Sequence, residues 1–210
     1  MVAVVQSQEA GAEMNKSEYY DRSLEVAVYP HLKMALTNAK PSLPRIAIDA
    51  GCGAGRDALF LIEEGYEVHA FDASEEAIAR LEKSASGLLE RVLLPRVCSF
   101  ENFEYPRSSL ISACSSLFFC HPDAFPTAWE KMSDSLMKDG LFCGHLMGPN
   151  DSWASMGRGD LTVHSRSELE GLFAGNFDVL DIHEHDAEGR TLLGRTKRWH
   201  TYSVLARKSA

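Results

Sequence analysis

The segment Asp49-Ala50-Gly51-Cys52-Gly53-Ala54-Gly55-Arg56-Asp57 constrains the fold of this chain more than any other feature. It follows a short apolar run over 46–50 and precedes a helical pattern over 57–64. In an open α/β sheet, ligands bind where a strand leads through a loop into a helix. Glycine is needed in such a loop because a side chain would hold the backbone away from the ligand or forbid the turn. The segment therefore predicts a ligand site at the end of the first strand.

Strand and helix patterns alternate after this loop. An apolar run over 66–71 predicts a second strand, and Ser74 is suited to cap the next helix because its hydroxyl can accept a backbone hydrogen bond. The remaining predicted elements of this region are strands at 95–99, 110–114 and 140–147 and a helix at 123–137. Such alternation indicates parallel strands with helices on both faces of the sheet.

The last third of the chain departs from this alternation. A loop over 148–159 and a helix over 167–174 lead to two extended segments, 177–184 and 199–206, with a polar connection over 185–190. A connection of that kind is typical of an antiparallel hairpin. The predicted fold is therefore α/β and doubly wound, with a mostly parallel seven-stranded sheet whose last strand is antiparallel.

The N-terminal region is expected to cover the ligand site. Residues 1–16 show no hydrophobic periodicity and predict a flexible tail. A helical pattern follows over 18–36, and Pro30 is expected to interrupt it. A chain of 210 residues that is 45% hydrophobic is large enough for one core. We expect residues 17–210 to form a single domain in which this N-terminal helix acts as a lid.

Charge and cysteine content narrow the classes of function. A formal net charge of -9 disfavours nucleic acid and anionic membranes as partners, because both attract clustered Lys and Arg. The five cysteines show no C-x-x-C spacing, which indicates a reducing compartment, and we expect no targeting or membrane-spanning segment. The eight histidines lack the H-x-x-x-H spacing of a helical metal site, so no metal is predicted. A cytoplasmic protein with a small-molecule partner is the expectation.

Asp72 closes the second predicted strand, about 20 residues after the first glycine. A carboxylate at this position, followed here by Ala73, can accept hydrogen bonds from both hydroxyls of a ribose. The alternative is that Asp72 only begins the turn before the cap Ser74.

The glycine spacing decides between two kinds of cofactor. A dinucleotide site requires G-x-G-x-x-G, with a helix N-terminus directed at a pyrophosphate, whereas this loop reads G-x-G-x-G. Asp49 would repel a pyrophosphate and attract a cofactor that carries an ammonium and a sulfonium group. S-adenosylmethionine (SAM) fits this charge pattern better than NAD.

These features resemble the class I SAM-dependent methyltransferases, a family with a Rossmann-like fold. Residues 49–55 are similar to the first motif of the family, and Asp72 is similar to its ribose-binding acid. Gly55-Arg56-Asp57 and Lys197-Arg198-Trp199-His200 look most like tellurite-resistance-type and related small methyltransferases. The resemblance implies methyl transfer from SAM. The cofactor contacts that it implies around the loop and the second strand come from Asp49, Gly51, Cys52, Gly53, Arg56, Asp57, Asp72 and Ala73.

The family also implies contacts after the third and fourth strands. Ser99 stands where an adenine-binding acid is expected, so its hydroxyl, the backbone N–H of Phe100 or a shifted Glu101 carboxylate would replace that contact. The alternative is that Phe100 and Phe103 only fill the core. Ser115 is expected to offer a backbone contact to the methionine arm of the cofactor.

Methyl transfer from a sulfonium is an in-line displacement, so alignment of the acceptor and exclusion of water are the main demands on the protein. A general base is needed only if the acceptor must lose a proton. His164 and His200 are the candidate bases, because the ordinary pKa of histidine lies near neutrality. A packing role for His200 beside Trp199 is the alternative.

Several residues are candidates for the acceptor pocket because they stand in connections expected to overhang the carboxyl ends of the strands. These candidates are Tyr19, Tyr20, Asp151, Trp153 and Arg166. Their alternatives are structural: packing of the lid helix for the tyrosines, a turn at Asp151, and a position before a helix cap at Ser167 for Arg166. The polar stretch 183–186 is expected to be a solvated loop rather than a metal site.

Two other functions remain open at the level of sequence. A nicotinamide-dependent oxidoreductase shares the sheet, the glycines and Asp72 but requires a different glycine spacing. A non-catalytic SAM-binding protein would retain the cofactor pocket without an acceptor pocket.

Overall fold

The computed structural model describes residues 16–88 and 92–209. The predicted tail, residues 1–16, lies outside the described residues except for Lys16, which begins the first helix.

Seven strands and seven α-helices are present in the described part of the chain. The helices are α1 Lys16–Glu25, α2 Pro30–Asn38, α3 Arg56–Glu63, α4 Glu75–Ser84, α5 Phe125–Ser135, α6 Ser152–Ser155 and α7 Arg166–Phe173. The strands are β1 Ile46–Ala50, β2 Glu67–Asp72, β3 Leu93–Val97, β4 Ser108–Ala113, β5 Leu136–Met147, β6 Phe177–Arg190 and β7 Thr196–Lys208.

The strands form one sheet in the order β3-β2-β1-β4-β5-β7-β6. Pairs among the first five strands are parallel, whereas β7 is antiparallel to both β5 and β6. This arrangement confirms the predicted doubly wound α/β fold with an antiparallel last strand. The chain order reverses between β1 and β4, and ligand sites of open α/β sheets lie at such a switch point.

Alternation along the central strands divides the core between the two faces of the sheet. Ile48 and Ala50 pack toward α5 and α7, whereas Ala47 packs with residues of α2, α3 and α4. Every residue of β4 is buried, as expected for a central parallel strand covered on both sides. Asp49 shares its face with Ala47, so its carboxyl group lies on the side of α3.

Proline and serine define helix ends near the site. Pro30 does not kink a single helix but begins α2, where its missing N–H costs nothing. The cap of α7 is Ser165 rather than the predicted Ser167: the Ser165 hydroxyl accepts the Glu168 N–H, and the Glu168 carboxylate accepts the Ser165 N–H. This capping box makes Arg166 the first residue of α7.

The final hairpin is longer than predicted. Residues 185–190 belong to β6 and pair with β7 as far as Arg190 and Thr196, so the turn is formed by 191–195. The prediction of a solvated loop over 183–186 was therefore wrong, because backbone pairing with β7 extends a polar sequence into a strand. Two smaller differences are that β3 begins before the predicted 95–99 and that the loop 148–159 contains the short helix α6.

Among the described residues, none of the helices has the length and apolar character needed to cross a membrane.

Candidate functional site

The loop between β1 and α3 depends on glycine at two positions for different reasons. Gly51 has a φ of +72°, and a Cβ atom there would lie 2.5 Å from the Cβ of Ser116. Gly53 has a φ of +54°, and a Cβ atom there would meet nothing within 4 Å. Gly51 is therefore required for close packing against the end of β4, whereas Gly53 presents bare backbone to open space where a ligand can approach.

Backbone hydrogen bonds hold this loop against the end of β2. The N–H groups of Gly51 and Cys52 both donate to the carbonyl of Phe71, at 2.8 and 2.9 Å. The Gly53 N–H donates to the carboxylate of Asp72 at 2.9 Å. Ala73 follows directly, and Ser74 caps α4 as predicted by accepting the Ala77 N–H. The loop and the acid predicted from sequence are thus one connected structure.

Asp49 is a buried carboxylate with an unsatisfied oxygen. Its residue exposure is 2%, and its Oδ2 atom has no hydrogen-bonding partner among the described residues. Burial raises the pKa of Asp49 well above its ordinary value, and the neighbouring Asp57 carboxylate raises it further. An ionised carboxylate in such a place requires a positively charged partner to offset its desolvation.

Arg56 and Asp57 begin α3 beside Asp49. The Arg56 Nε donates to the Asp57 carboxylate at 2.6 Å, and the Arg56 guanidinium lies 4.5 Å from the ring centroid of Tyr29. Asp57 is 5% exposed. Arg56 therefore faces the space between α2 and α3 at the carboxyl end of the sheet.

The region predicted to bind adenine has an aromatic wall. Phe100 packs edge-to-face on Phe71 at 5.4 Å, and its ring would lie 3.1 Å from a Cβ atom on Gly51. Phe103 is buried and stacks on Phe71 at 4.1 Å, which supports its alternative role in the core. The Ser99 hydroxyl accepts a hydrogen bond from the Asn102 amide at 2.8 Å. The expected position of Ser99 and Phe100 after β3 is observed, but the Ser99 hydroxyl already has a partner.

Helix α1 lies over the glycine loop. Tyr20 is buried against Ala54 of the loop and Ala77 of α4, and Tyr19 packs on the same group. Burial raises the pKa of the Tyr19 hydroxyl to about 12, and the nearby Tyr29 raises it as well. Arg80 of α4 donates to Asp21 at 2.6 Å. The two tyrosines thus cover the loop.

A further group of residues, of which the sequence analysis named only Ser115, lies between α2 and the ends of β4 and β5. We call it the His145 cluster, and it consists of Tyr29, His31, Ser115 and His145. The His145 ring is 4.5 Å from the Tyr29 ring and 4.4 Å from the His31 ring, centroid to centroid. The one local signal in the sequence was a histidine inside the apolar run 141–147.

Ser115 uses its backbone N–H within this cluster. The N–H donates to Nδ1 of His145 at 3.0 Å, and the Ser115 hydroxyl donates to the Tyr29 hydroxyl at 2.8 Å. The Ser115 N–H is therefore not free to make the predicted backbone contact with a cofactor. Ser115 lies two residues beyond the end of β4.

His164 lies away from the His145 cluster, on the side of α5 and α7. It lines a groove of about 480 Å³ together with Phe125, Thr162 and Glu168. Its Nδ1 atom is enclosed without a hydrogen-bonding partner in the described structure, and burial lowers its pKa. This position gives Nδ1 no open path to an acceptor.

His200 has both ring nitrogens occupied. Nδ1 accepts the Asn150 N–H at 3.0 Å, and Nε2 lies 3.0 Å from the Glu184 carboxylate. Gly148 packs so tightly on the ring that a Cβ atom there would lie 2.4 Å from Nδ1. The structure contradicts the prediction of a general base at His200, because no lone pair is free.

Asp151 forms a buried ion pair with Lys197 beside Trp153, rather than lining an open pocket. Asp151 is 0% exposed, caps α6 and accepts a hydrogen bond from Lys197 at 2.5 Å. The Lys197 ammonium lies 3.6 Å from the Trp153 ring centroid and 4.0 Å from that of Trp199. The prediction that Asp151 lines an acceptor pocket is therefore wrong: its oxygens are sealed inside and bonded.

Arg166 lies on the surface at the start of α7. It pairs with Glu170 at 2.7 Å and with Glu184 at 3.7 Å, which links α7 to β6. Neither contact places Arg166 beside the glycine loop. Within residues 16–88 and 92–209, no group of three or more His, Cys, Asp or Glu side chains is arranged to hold a metal ion.

Known proteins match this chain mainly through structure. Residues 47–140 match the family described as Methyltransferase domain, and no curated protein matches the chain in sequence. TehB from Haemophilus influenzae superposes with a TM-score of 0.71 at 18% identity, over 92% of this chain and 67% of TehB.

Two ligand-bound methyltransferases share the fold. The 1,6-didemethyltoxoflavin-N1-methyltransferase of Burkholderia thailandensis, with bound 1,6-didemethyltoxoflavin and S-adenosylhomocysteine, gives a TM-score of 0.64 at 23% identity over 92% of this chain and 85% of that chain. Magnesium protoporphyrin IX methyltransferase from Synechocystis PCC 6803, with bound SAM, gives a TM-score of 0.62 at 11% identity. The match covers 95% of this chain and 87% of that chain. The match to the Methyltransferase domain spans β1, the glycine loop and Asp72, and the chain shares its fold with these methyltransferases.

Proposed function

We propose that this protein transfers a methyl group from SAM to a small-molecule acceptor, with the cofactor held at the carboxyl ends of β1 and β2. The observation that carries this proposal is the buried, unsatisfied Oδ2 of Asp49 beside the glycine loop. SAM carries an ammonium and a sulfonium group, and either cation would offset the desolvation of the Asp49 carboxylate. The nicotinamide alternative lacks this charge match, since a pyrophosphate would repel Asp49.

The residues proposed for the remaining cofactor contacts lie at the same edge of the sheet. Asp72 holds the loop through Gly53 and keeps acceptor capacity for ribose hydroxyls, since a carboxylate has about four lone-pair positions. Gly51, Cys52 and Ala73 supply the surrounding backbone. Arg56, with Asp57 as its partner, lies where it can bind the carboxylate of the methionine arm.

Phe100 is proposed as the wall against which the adenine packs. Its ring is half-buried and already held edge-to-face by Phe71, so little side-chain freedom is lost when a ligand stacks on it. Ser99 lies one residue earlier, but its hydroxyl accepts from Asn102, so we expect its contribution to adenine binding to be small.

Helix α1 is proposed as a lid that shields the cofactor from water. It reaches α4 through Arg80 and the final hairpin through Arg22, whose guanidinium donates to the Leu192 carbonyl at 2.7 Å. Tyr19 and Tyr20 form its inner face over the loop. Exclusion of water favours displacement at the activated methyl group over side reactions.

The chain supplies alignment rather than acid–base chemistry in this proposal. Bound SAM supplies a methyl group on a positively charged sulfur, which is already activated for displacement. His200 is fully bonded, and His164 lies on the side of α5 and α7, away from the His145 cluster, so we assign neither a proton transfer. The acceptor is placed by residues at the ends of β4 and β5, next to the glycine loop.

A small molecule is the proposed acceptor for two reasons. The net charge of -9 disfavours nucleic acid, and the solved structures with the same fold include methyltransferases named for a didemethyltoxoflavin and for magnesium protoporphyrin IX. A cytoplasmic location is part of the proposal, because the cysteines are unpaired in the described structure.

The proposal is tested first by calorimetric titration with SAM, S-adenosylhomocysteine and NAD. We expect the two sulfur compounds to bind and NAD not to bind. Binding of NAD without either sulfur compound would contradict the proposed cofactor. We expect Asp49→Asn to lose SAM binding. Asp123→Asn is the matched control and should retain binding, since the Asp123 side chain is 95% exposed.

Transfer is then followed with methyl-labelled SAM and a cell extract separated into small molecules and macromolecules. Label in the small-molecule fraction that depends on the protein supports the proposal. Label in protein or nucleic acid instead would overturn the proposed acceptor class. Absence of label from both fractions, while SAM binds, would favour the non-catalytic SAM-binding alternative.

A further inference from the structure

Ser115 holds an uncommon backbone conformation at the end of β4. Its φ is +56°, a region that residues other than glycine seldom adopt and that costs conformational energy. This conformation directs the Ser115 N–H at the ring of His145, where it donates to Nδ1 at 3.0 Å. The strain is therefore coupled to a specific hydrogen bond at the carboxyl end of the sheet.

This hydrogen bond determines which nitrogen of His145 carries the proton. A ring nitrogen that accepts a hydrogen bond has no proton of its own, so the neutral ring is protonated on Nε2. His145 is neutral because burial lowers its pKa well below its ordinary value, and the nearby His31 and Arg56 lower it further. His145 is therefore a hydrogen-bond donor at Nε2 and has no free lone pair for a proton.

The Nε2 atom of His145 is available to a ligand. It has no hydrogen-bonding partner in the described part of the chain, and it is not one of the fully enclosed unpaired atoms there, unlike Nδ1 of His164. An unmatched donor in a nearly buried side chain is costly, so a lone pair from a bound molecule would stabilise it. His145 is 6% exposed.

Tyr29 adds a second donor beside it. The Tyr29 hydroxyl accepts from the Ser115 hydroxyl at 2.8 Å, so the proton of Tyr29 is free to donate elsewhere. The Tyr29 ring packs edge-to-face with His145, and the Arg56 guanidinium lies 4.5 Å from the Tyr29 ring centroid. Two donors are thus fixed side by side next to the proposed cofactor site.

We propose that His145 orients the methyl acceptor by donating a hydrogen bond from Nε2 to it, and that Ser115 is a positioning residue that fixes the donor tautomer of His145. The inference rests on the proposed function. His145 does not serve as a base. If the acceptor must lose a proton, that proton is transferred to water. Nε2 of His145 and the Tyr29 hydroxyl can both donate hydrogen bonds. They therefore favour an acceptor atom that has a second lone pair next to the lone pair that attacks the methyl group.

The groups around His145 keep its protonation state constant. His31 faces it from α2, the paired Arg56 and Asp57 face the cluster from α3, and Cys114 at the end of β4 contacts His31 at 3.4 Å. Arg56 and His31 oppose a positive charge on His145, and Asp57 is engaged with Arg56. We expect His145 to remain neutral over the range of about pH 5 to 8, in which an unperturbed histidine titrates.

Nuclear magnetic resonance of the protein labelled with ¹⁵N-histidine tests the tautomer without any acceptor. The His145 signals are assigned by their loss in His145→Gln. We expect the proton on Nε2 and no titration over that pH range. A proton on Nδ1, or titration near the ordinary pKa, would overturn the proposal. Tyr29→Phe should retain the same tautomer, because the Ser115 N–H remains, and it serves as a second sample if His145 variants fail to fold.

Paired substitutions separate the donor from the shape of the ring. His145→Gln keeps a side-chain N–H donor, whereas His145→Phe keeps a planar ring without one. With the labelled small-molecule extract, we expect the Phe variant to lose about 10- to 100-fold in transfer rate and the Gln variant to recover a substantial part of it. Equal rates in the two variants would contradict a donor role.

Cofactor titration distinguishes this inference from the proposed function. SAM and S-adenosylhomocysteine should bind both variants within about twofold of the parent protein, since the donor faces the acceptor. Loss of SAM binding in both variants would assign His145 to the cofactor and overturn the inference alone. Failure of the parent protein to bind SAM would overturn the proposed function, whatever the tautomer of His145.

Discussion

The Oδ2 atom of Asp72 accepts a hydrogen bond from the Gly53 N–H at 2.9 Å, across 19 residues of sequence. Its Oδ1 atom accepts the Ser74 N–H at 2.8 Å. One carboxylate therefore ties the loop after β1 to the turn after β2. Burial raises the pKa of Asp72, and these two backbone hydrogen bonds oppose that shift. Asp72 therefore has a structural role in the ligand-free protein.

Asp72→Asn should weaken the binding of SAM and S-adenosylhomocysteine by the same factor. The amide has only one acceptor oxygen, and both compounds carry the same ribose, so we expect a loss of about 1 to 3 kcal/mol for each. Isothermal titration calorimetry measures this. Unchanged affinity would mean that the ribose lies elsewhere, and loss for SAM alone would assign Asp72 to the sulfonium.

Asp49→Asn should stabilise the ligand-free protein while it weakens SAM binding. The folded-state pKa of Asp49 is raised above its ordinary value, so the stability associated with its protonated form is lost as pH rises through that folded pKa. At neutral pH the neutral amide avoids this cost, and we expect a gain of about 1 to 3 kcal/mol in the free energy of unfolding.

Urea unfolding of the Asp49 variant, with Asp123→Asn as the exposed control, measures that gain. The affinity for SAM should fall more than that for S-adenosylhomocysteine, because only SAM has a sulfonium charge. A less stable Asp49→Asn protein would contradict this prediction and show that the Ala58 backbone hydrogen bond and Arg56 outweigh the cost of burying the Asp49 carboxylate.

His31 should make folding sensitive to mild acid. Burial lowers its pKa from the ordinary 6.5 to about 4, although the Asp57 carboxylate opposes the shift. The unfolded chain therefore binds a proton at a higher pH than the folded protein, and stability falls as pH drops from 6.5 to about 4. The contribution is at most about 3 kcal/mol at 1.36 kcal/mol for each pKa unit.

Unfolding free energies measured across this range should decline less steeply for His31→Gln than for the parent protein. His121→Gln is the control, because the His121 side chain is 54% exposed. Identical slopes for the parent protein and His31→Gln would contradict the burial of a neutral His31.

Lys197→Met should destabilise the fold strongly. It leaves the fully buried Asp151 carboxylate without its cation, which costs about 3 to 5 kcal/mol. The double variant Lys197→Met with Asp151→Asn should recover part of that loss, because no unpaired charge remains. Chemical unfolding followed by circular dichroism tests both, and additive effects of the two substitutions would contradict a coupled pair.

The segments that could be predicted from sequence are those whose determinants are local. The strand–loop–helix unit from β1 to α3 follows from an apolar run, left-handed glycines and a helical pattern within a few turns of chain. Asp72 was found because the end of the next strand falls at a regular spacing from the loop. Ser74 was recognised as a cap for the same reason, since capping acts within one helical turn.

Predictions that depended on which side chains become buried were less successful. Asp151 was expected in an acceptor pocket, but Lys197, 46 residues later, seals it inside. His200 was expected to act as a base, but the Asn150 N–H and Glu184 occupy its ring. Residues 185–190 were expected to form a turn, but pairing with β7 extends them as a strand. In the first two cases a deciding partner is distant in sequence, and in the third it is the neighbouring strand of the hairpin.

The sequence by itself determined the glycine loop, the two carboxylates beside it and the doubly wound alternation, because each arises from neighbouring residues. Only the tertiary structure decided the His145 cluster. Ser115 meets His145 across 30 residues and Tyr29 across 86, since β4 lies between β1 and β5 in the sheet and α2 packs over their ends. The order of strands brings these side chains together, and no local pattern encodes that order.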